Sequence, residues 1–168
     1  MQINKTDAKE VFVKKNKIAL KPGFGGGKPE NALMKNQLVL VRGLSGSGKS
    51  SFADSLTLIG YEKFEADMFF EIDGVYVFDG SRIRDAHKWC QKMTQQALWM
   101  GEDVVVSNTF TRLSEMAPYM GMQAGSIRVI EATGNWPNTH GVPPEKLQTM
   151  ADRWESFPVN DSVYRPGR

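Results

Sequence analysis

The sequence predicts an α/β fold in which a mainly parallel sheet of four or five strands is flanked by helices. Three observations predict it. Strand-like and helix-like segments alternate from residue 37 to about residue 155. The first strand-like run, QLVLVR, is apolar between its two end residues, which is typical of a parallel strand buried on both faces. A glycine-rich loop lies between the first of these runs and a helix, and such folds bind ligands at the carboxyl ends of their strands.

Length and composition indicate one globular domain with an appendage. The chain has 168 residues, of which 40% are apolar and 24% are charged. The single cysteine, Cys90, excludes an intramolecular disulfide and a metal cluster held by cysteines. No apolar run approaches the roughly 18 residues of a membrane span, and the N-terminus has no apolar run of signal-peptide length. We therefore expect a cytoplasmic protein.

Positive charge is concentrated in residues 1–36, where eight lysines face three carboxylates and give a net charge of +5. Because the whole chain carries +2, residues 37–168 carry about −3. The segment KPGFGGGKPEN cannot continue a helix or a strand. We predict a basic N-terminal extension with a Gly/Pro-rich linker over 1–36 and one domain over 37–168. The extension is either a solubilising tail or an arm that follows a phosphate backbone.

The first half of the domain is expected to contain strand, loop, helix, strand and hairpin. The strand QLVLVR ends at a glycine. A helix that starts after the loop GLSGSGKS runs to about Leu58 and is ended by Gly60. The segment YEKFEA is the second strand. The residues FFEIDGVYVFDG alternate around Asp73-Gly74, a dipeptide typical of a hairpin turn.

The second half is expected to contain three helices and at least two more strands. A long helix follows the hairpin, ends at Gly101 and has one buried stripe at three- and four-residue steps. The strand EDVVVSN, a helix from about Leu113 to Met122, and the strand SIRVIEA come next. Pro143 and Pro144 then start another helix, and the tail leaves room for a short final strand. The stripe of the long helix consists of Ala86, Cys90, Met93, Ala97 and Met100.

The loop GLSGSGKS matches G-x-x-x-x-G-K-[ST] in full, between a strand and a helix as that motif requires. Its glycines let backbone N–H groups point at phosphate oxygens, and the following helix adds the positive end of its dipole. Lys49 is expected to reach the β- and γ-phosphates, and the Ser50 hydroxyl to hold Mg²⁺. The alternative, a Ser/Gly turn that fits by chance, is disfavoured by this context. The predicted ATP-binding residues are Gly43, Ser45, Gly46, Ser47, Gly48, Lys49, Ser50 and Ser51.

The acidic residues separate the classes of nucleotide-binding protein. Asp67 follows the second strand, which puts it at the carboxyl edge of the sheet beside the loop. A carboxylate there can orient an acceptor hydroxyl and take its proton. The third strand ends without the aspartate that motor ATPases use for metal, and no Asn-Lys-x-Asp motif for guanine occurs. A kinase is therefore favoured; the alternative for Asp67 is a solvated turn carboxylate.

Six separated segments resemble, in order, the P-loop kinase family that includes bacteriophage polynucleotide kinases and the kinase-like domain of a ubiquitin-ligase-binding protein. The segments are RGLSGSGKS, EADMFF, AHKW, VVVSNT with SEMAPY, IRVIEAT and HGVPPEKLQTMADRWE. The resemblance covers about residues 37–155. The resemblance implies a three-layer α/β sandwich of the P-loop NTPase, kinase type, with ATP and Mg²⁺ as cofactors.

The resemblance also implies roles for particular residues. The aspartate that matches Asp67 is the family's general base for the acceptor hydroxyl, and the family's P-loop lysine and serine match Lys49 and Ser50. The polar pair after the third strand, here Asn108 and Thr109, lies near the acceptor or the transferred phosphate in relatives.

The chain departs from the family at two arginines. Relatives of the polynucleotide kinase type have an arginine three residues after the general base to bind the acceptor's phosphate, and this chain has Phe70 there. The lid is shortened to GNWPNTHGVP, with Pro137 in place of an arginine. Arg153, in a DRWE that matches the family's arginine-aromatic-glutamate, is therefore the candidate catalytic arginine, with Arg112 and Arg128 behind it.

Four residues permit two interpretations each. Phe70 either offers a stacking surface to a base of the acceptor or is buried beneath the hairpin. Trp136, in the shortened lid, either stacks on a base or packs against the protein. His87 has a structural role or contacts the acceptor, and His140 is assigned to helix capping or a loop rather than to catalysis. The predicted acceptor-binding residues are Phe70, Asn108, Thr109 and Arg112.

The sequence favours an ATP- and Mg²⁺-dependent kinase that transfers the γ-phosphate to a hydroxyl of nucleic acid, with DNA favoured over RNA and a 5′-hydroxyl end favoured as acceptor. A close alternative is a hydroxymethyl group on a modified pyrimidine in DNA, a task that resembles that of phage relatives. A phage-encoded protein of this kind would act in the host cytoplasm. A small nucleoside or metabolite is a third acceptor. A nucleotide-binding adaptor without catalysis is the hypothesis from another class, and Asp67 argues against it.

Overall fold

A computed structural model describes residues 35–137 and 141–158, and the backbone of residues 163–164. Residues 1–34 of the predicted extension and His140 lie outside the described residues. No helix in the described ranges is long and apolar enough to cross a membrane.

A five-stranded sheet forms the centre of the domain. Two further short strands, β3 (Glu71–Ile72) and β4 (Val75–Tyr76), make a separate antiparallel hairpin. The strands of the sheet are β1 (Gln37–Arg42), β2 (Glu62–Phe64), β5 (Val104–Asn108), β6 (Ser126–Glu131) and β7 (Val163–Tyr164). They lie in the order β2-β5-β1-β6-β7, and every pair is parallel. The predicted mainly parallel sheet, including its short final strand, is confirmed.

Helices follow the strands as predicted. They are α1 (Lys49–Thr57), α2 (Ile83–Trp99), α3 (Leu113–Met120) and α4 (Pro144–Asp152), with 3₁₀-helices at Ala66–Phe70 and Gly80–Arg82. The connections β1-α1-β2 and β5-α3-β6 join parallel strands through a helix, the usual connection in such sheets. The P-loop therefore lies at the carboxyl end of a strand that has a neighbour on both sides.

Alternate residues of β1 enter two different cores, so the fold has three layers. Leu38 and Leu40 pack with Cys90 of α2 and Met116 of α3 on one side of the sheet. Val39 and Val41 pack on the other side with residues of α1. Because both faces of the strand are covered, the four residues between Gln37 and Arg42 have to be apolar. The three-layer α/β sandwich implied by the family resemblance is confirmed.

The stripe predicted on α2 is correct in its centre and wrong at its end. Ala86, Cys90 and Ala97 are buried, and Met93 is half-buried. Met100 is exposed because it is the residue that ends the helix, immediately before Gly101 adopts a φ of +87°. Its place in the core is taken by Leu98, which is fully buried.

Asn36, the residue before the predicted start of the domain, is packed against the sheet and its helices. Asn36 is buried, its side-chain amide donates to the carbonyl oxygen of Leu98 over 2.9 Å, and its own carbonyl accepts from Gly125 N–H over 2.8 Å. Asn36 thus ties the start of β1 to the end of α2 and to the turn before β6.

Candidate active site

The P-loop connects β1 to α1 and depends on two glycines. Gly46 and Gly48 have φ values of +81° and +85°, in the left-handed region that other residues adopt only with strain. Ser47 N–H donates to the carbonyl of Leu44 over 3.1 Å, which tightens the loop, and Gly48 is the N-cap of α1. The loop therefore turns back on itself and presents the first turn of α1, with Lys49 and Ser50, at the carboxyl edge of the sheet.

Gly43 is required for a different reason, which is space. A Cβ at this position would collide with Oγ of the buried Ser47 and come within 2.9 Å of the carbonyl oxygen of Ala132. Gly43 N–H donates to the carbonyl of Thr109 over 3.3 Å, which links the P-loop to the end of β5. Gly43, the first glycine of the motif, is thus held between the segments that follow β5 and β6, the strands on either side of β1.

The segment after β6 pairs with the P-loop. Gly134 N–H donates to the carbonyl of Ser47 over 3.1 Å, and Trp136 N–H donates to the carbonyl of Gly46 over 2.8 Å. The indole of Trp136 lies over Gly48 and Gly134, where a Cβ on either glycine would collide with it. The packing role expected for Trp136 is therefore present, and 63% of this residue is still exposed beside the P-loop.

Lys49 and Asp67 share one electrostatic environment. Asp67 is exposed in the 3₁₀-helix Ala66–Phe70, which follows β2 at the carboxyl edge of the sheet. Burial lowers the pKa of Lys49 from its ordinary value, and the nearby carboxylates of Glu65 and Asp67 act in the opposite direction. The P-loop lysine and the predicted general base therefore lie within electrostatic range of each other.

The prediction that Asn108 binds the acceptor is wrong. It is buried at the end of β5, its Oδ1 accepts from Ala66 N–H over 2.9 Å, and its amide donates to Sγ of Cys90 over 3.7 Å. These contacts fasten the residue that precedes Asp67 to β5 and α2. The assignment of Asn108 to the acceptor is corrected: the side chain positions the 3₁₀-helix that carries Asp67. Thr109 is half-buried, and its carbonyl accepts the hydrogen bond from Gly43 N–H of the P-loop.

Phe70 is buried as well, so the stacking surface predicted for it is wrong. Only 4% of the residue is exposed. Its ring contacts Phe69, Tyr76 and Phe78 edge-on, with centroid separations of 5.3, 6.4 and 5.2 Å. The hairpin covers Phe70, and a fully packed ring has no face to offer to a base. The alternative, burial beneath the hairpin, is the one the packing supports.

The three candidate arginines have different surroundings. Arg153 is exposed at the C-terminal end of α4, and its neighbour Trp154 packs inward instead. Arg112 is exposed at the N-cap of α3, where its backbone N–H donates to Glu115 over 3.3 Å. Arg128 is exposed in the middle of β6 and its charge acts on Tyr61, whose hydroxyl binds Gln37 at the amino end of β1. Arg128 is therefore directed away from the P-loop.

Comparisons with known proteins identify the family. A family model described as an AAA domain matches residues 38–131, which is more than half of the chain. NEDD4-binding protein 2 of Homo sapiens is 32% identical over 135 residues, or 71% of this chain, while the chain spans only 8% of that protein's length. The chain belongs to the P-loop kinase family.

Solved structures share the fold of this kinase-family domain. A gluconokinase from Sinorhizobium meliloti 1021 has a TM-score of 0.54 at 20% identity over 80% of this chain and 83% of its own. The Mycobacterium tuberculosis APS kinase CysC, in complex with AMPPNP and APS, has a TM-score of 0.53 at 16% identity over 80% and 90%. A chain of the Pnkp1/Rnl/Hen1 complex has 0.50 at 17% identity over 79% and 43%. At these identities the likeness shows the fold alone.

Sequence reasoning missed the buried arginine behind the P-loop of this kinase-family domain. Arg42 is fully buried at the end of β1, directly before Gly43. Its guanidinium donates to the carbonyl of Glu155 over 2.8 Å and lies 3.9 Å from the ring centroid of Trp154. It is also 3.9 Å from the carboxylate of Glu131. An arginine that ends an otherwise apolar strand was the available signal, because a buried guanidinium needs such partners.

The site fits a nucleotide that brings its metal with it. Among the residues that the structure describes, no group of three or more His, Cys, Asp or Glu side chains could hold a metal ion. Mg²⁺ in phosphate-binding sites keeps waters and takes only one or two protein oxygens besides the phosphates. Ser50, in the first turn of α1, is a suitable single ligand, and the positive-φ glycines fit a backbone cradle for phosphate oxygens.

Proposed function

We propose that this protein is an ATP- and Mg²⁺-dependent kinase that transfers the γ-phosphate to a hydroxyl group of nucleic acid. The observation that carries the proposal is the proximity of Lys49 and Asp67 at the carboxyl edge of the sheet, where the two carboxylates near Lys49 act on its pKa. A cation for the transferred phosphate and a carboxylate for the acceptor are the two charges that this reaction needs. Family membership supports the donor half of the proposal.

In the proposed reaction, the oxygen of the acceptor hydroxyl forms a bond to the γ-phosphorus, and Asp67 accepts the proton of that hydroxyl. The bond from that phosphorus to its bridging oxygen breaks, and ADP leaves. Lys49 and the backbone N–H groups of the P-loop other than those of Gly43 and Ser47 stabilise the charge on the phosphate oxygens. When bound through Ser50, Mg²⁺ would neutralise part of that charge. Arg153 stays the candidate for a further positive charge; its neighbours Ala151 and Trp154 line a cavity together with Leu44 and Ser47 of the P-loop.

The acceptor is proposed to be nucleic acid, and DNA before RNA, on the similarity of six motifs to the polynucleotide kinase family. A 5′-hydroxyl end is the first candidate. A hydroxymethyl group on a modified pyrimidine within DNA is the second, and one observation favours it. The position three residues after Asp67 holds the buried Phe70 in place of a cation, so no side chain at this position binds the phosphate of an acceptor end.

Transfer of radiolabelled γ-phosphate into parallel acceptors tests the proposal. The acceptors are 5′-hydroxyl DNA, 5′-hydroxyl RNA, a duplex that contains hydroxymethylpyrimidine and has phosphorylated blunt ends, and free nucleosides. We expect label in one of the DNA acceptors and a preference of at least about tenfold over nucleosides, the size of one lost specific contact.

The same panel decides among the alternatives. Label only in nucleosides would contradict a nucleic-acid acceptor while keeping the kinase. Tight ATP binding without label in any acceptor, and without hydrolysis, would favour the adaptor hypothesis. The duplex with phosphorylated ends separates the two DNA candidates, because it has no 5′-hydroxyl to modify.

A further inference from the structure

Two aromatic side chains on the hairpin are exposed beside Asp67. Tyr76 and Phe78 are 56% and 53% exposed although one side of each ring packs against the buried Phe70. They are two residues apart in an extended segment and both contact Phe70, so they lie on the same side of the hairpin. We call Tyr76 and Phe78 the aromatic platform.

The aromatic platform is fastened to the helix that carries Asp67. Phe70 belongs to the same 3₁₀-helix as Asp67, and its carbonyl accepts from Val77 N–H over 2.9 Å. Burial and the Asp67 carboxylate both raise the pKa of Tyr76, so the phenol lies within electrostatic range of that carboxylate. A group bound on the platform would therefore lie near Asp67.

The surroundings of the platform suit a nucleobase. The guanidinium of Arg82 lies 4.6 Å from the ring centroid of Phe69, next to Phe70. It is half-exposed and also pairs with the carboxylate of Asp85 over 3.6 Å. Exposed aromatic faces accompanied by arginine are the usual means by which proteins bind unpaired bases, since each base offers a flat face and each nucleotide a phosphate.

We propose that Tyr76 and Phe78 stack on the nucleobase that neighbours the acceptor hydroxyl and so determine the acceptor of this kinase. The inference rests on the proposed transfer to nucleic acid. It gives the hairpin the recognition role predicted for Phe70. Phe70 supports the platform from beneath, and the two rings above it face the acceptor.

The test measures binding of a single-stranded DNA with a 5′-hydroxyl and a 3′-fluorescein by anisotropy, with a non-hydrolysable ATP analogue present. A matched DNA lacks the base of its 5′-terminal nucleotide. The variants are Tyr76→Leu and Phe78→Leu, which keep an apolar cover on Phe70 without a flat ring. Val77→Ala, which changes a 59% exposed residue between the two rings, is the control.

We expect each leucine variant to weaken binding of the intact DNA by about tenfold, the effect of one lost base stack, and to leave binding of the abasic DNA unchanged. Val77→Ala should leave both unchanged. Equal Kd values for wild type and both leucine variants, at unchanged melting temperatures, would overturn the proposal. Equal losses on the intact and the abasic DNA would also overturn it, because the rings would then act on the backbone or on the fold.

Wild-type transfer of label, measured in parallel, keeps the two proposals apart. Transfer to DNA with platform-independent binding contradicts the platform and keeps the function. Platform-dependent binding of DNA without transfer to any hydroxyl contradicts the function and keeps the platform as a nucleic-acid site. Binding of an apolar peptide in place of DNA, lost in both leucine variants, would assign the hairpin to a protein partner and overturn the proposal.

Discussion

The nucleotide side and the acceptor side of the site are built by different means. On the nucleotide side, backbone conformation dominates: Gly46 and Gly48 adopt positive φ, and the segment after β6 binds two carbonyls of the loop. On the acceptor side, Asp67 lies in a five-residue 3₁₀-helix that is held by the Asn108 side chain and by the packing of Phe70. One side is defined by main-chain geometry and the other by side-chain packing.

This difference determines which side of the site can change its ligand. A loop of fixed backbone geometry binds phosphate oxygens, which are common to every nucleoside triphosphate. A helix and hairpin held by packing can present different side chains over the same Asp67 without a change in the loop. We infer that the nucleotide side specifies the reaction and the acceptor side specifies the substrate. Five predictions test this division, from the largest expected effect to the smallest.

Lys49→Ala should reduce phosphate transfer by at least about 10³-fold and weaken ATP binding, because the ammonium serves both the bound triphosphate and the charge that develops during transfer. Steady-state transfer and calorimetric ATP titration measure the two effects. Lys88→Ala, which removes an exposed lysine from α2, is the matched control and should match wild type. Transfer at the wild-type rate in Lys49→Ala would contradict the assignment of the P-loop to the reaction.

Asp67→Asn should reduce turnover by about 10²–10⁴-fold, the range for loss of a general base, and leave the Kd for ATP unchanged. Asp73→Asn is the matched control, since Asp73 is an exposed hairpin carboxylate with a φ of +53° that asparagine also tolerates. Asp67→Asn would then change turnover alone, whereas Lys49→Ala would change both turnover and ATP binding. Survival of both transfer and hydrolysis in Asp67→Asn would make this carboxylate a structural one.

Arg42→Met should lower the free energy of unfolding by about 3–5 kcal/mol, because the carbonyl of Glu155 and the ring of Trp154 lose a fully buried cation. Denaturant unfolding in the absence of nucleotide measures it. Arg153→Ala, which removes an exposed arginine nearby, should change the free energy by no more than about 0.5 kcal/mol. Similar values for the two variants would mean that the buried contacts of Arg42 do not stabilise the fold.

Phe70→Ala should lower the free energy of unfolding by about 3–5 kcal/mol through the cavity it leaves beneath the hairpin. Ile72→Ala, an exposed position on the same hairpin, is the control and should be close to neutral. Thermal melts and denaturant titration give both values. A stable Phe70→Ala variant that loses affinity only for DNA would mean that Phe70 contacts the acceptor and does not support the hairpin.

The same division explains what could be predicted from the sequence. Strand and helix order, the P-loop and the place of Asp67 are set by short local patterns: apolar runs, a glycine motif and a residue that follows a strand. Those predictions for the fold are confirmed, and the hairpin turn is found at Asp73-Gly74, where both residues have positive φ.

The roles of Asn108 and Phe70 could not be predicted in this way. An amide side chain at the end of a strand can face either the acceptor or a backbone N–H of the neighbouring segment. Asn108 binds Ala66 N–H because β5 lies beside β2, and this pairing cannot be read from the local sequence. Phe70 is exposed or buried according to whether the hairpin folds back over it. Arg42 was missed because its partners come from residues far along the chain, including Glu131 and Glu155. Side-chain partners that are distant in sequence leave no local pattern.

The smallest expected effect concerns the protonation of Lys49. Burial lowers the pKa of Lys49 in the protein without nucleotide, so part of its ammonium is neutral at alkaline pH. The negative charge of a bound triphosphate favours the protonated form and raises this pKa. Nucleotide binding should therefore take up protons, by a fraction of one per site, and ATP affinity should fall as pH rises through the lowered pKa.

Calorimetric titration of ATP at about pH 9, where the phosphates are fully ionised, measures this uptake in two buffers of different ionisation enthalpy. The apparent binding enthalpy should differ between the buffers in the direction of proton uptake for wild type and for Lys88→Ala. Lys49→Met, which keeps the length of the side chain without its charge, should abolish the difference. Identical enthalpies in both buffers for wild type would mean that Lys49 is fully protonated before ATP arrives, and the nearby carboxylates of Glu65 and Asp67 would then outweigh its burial.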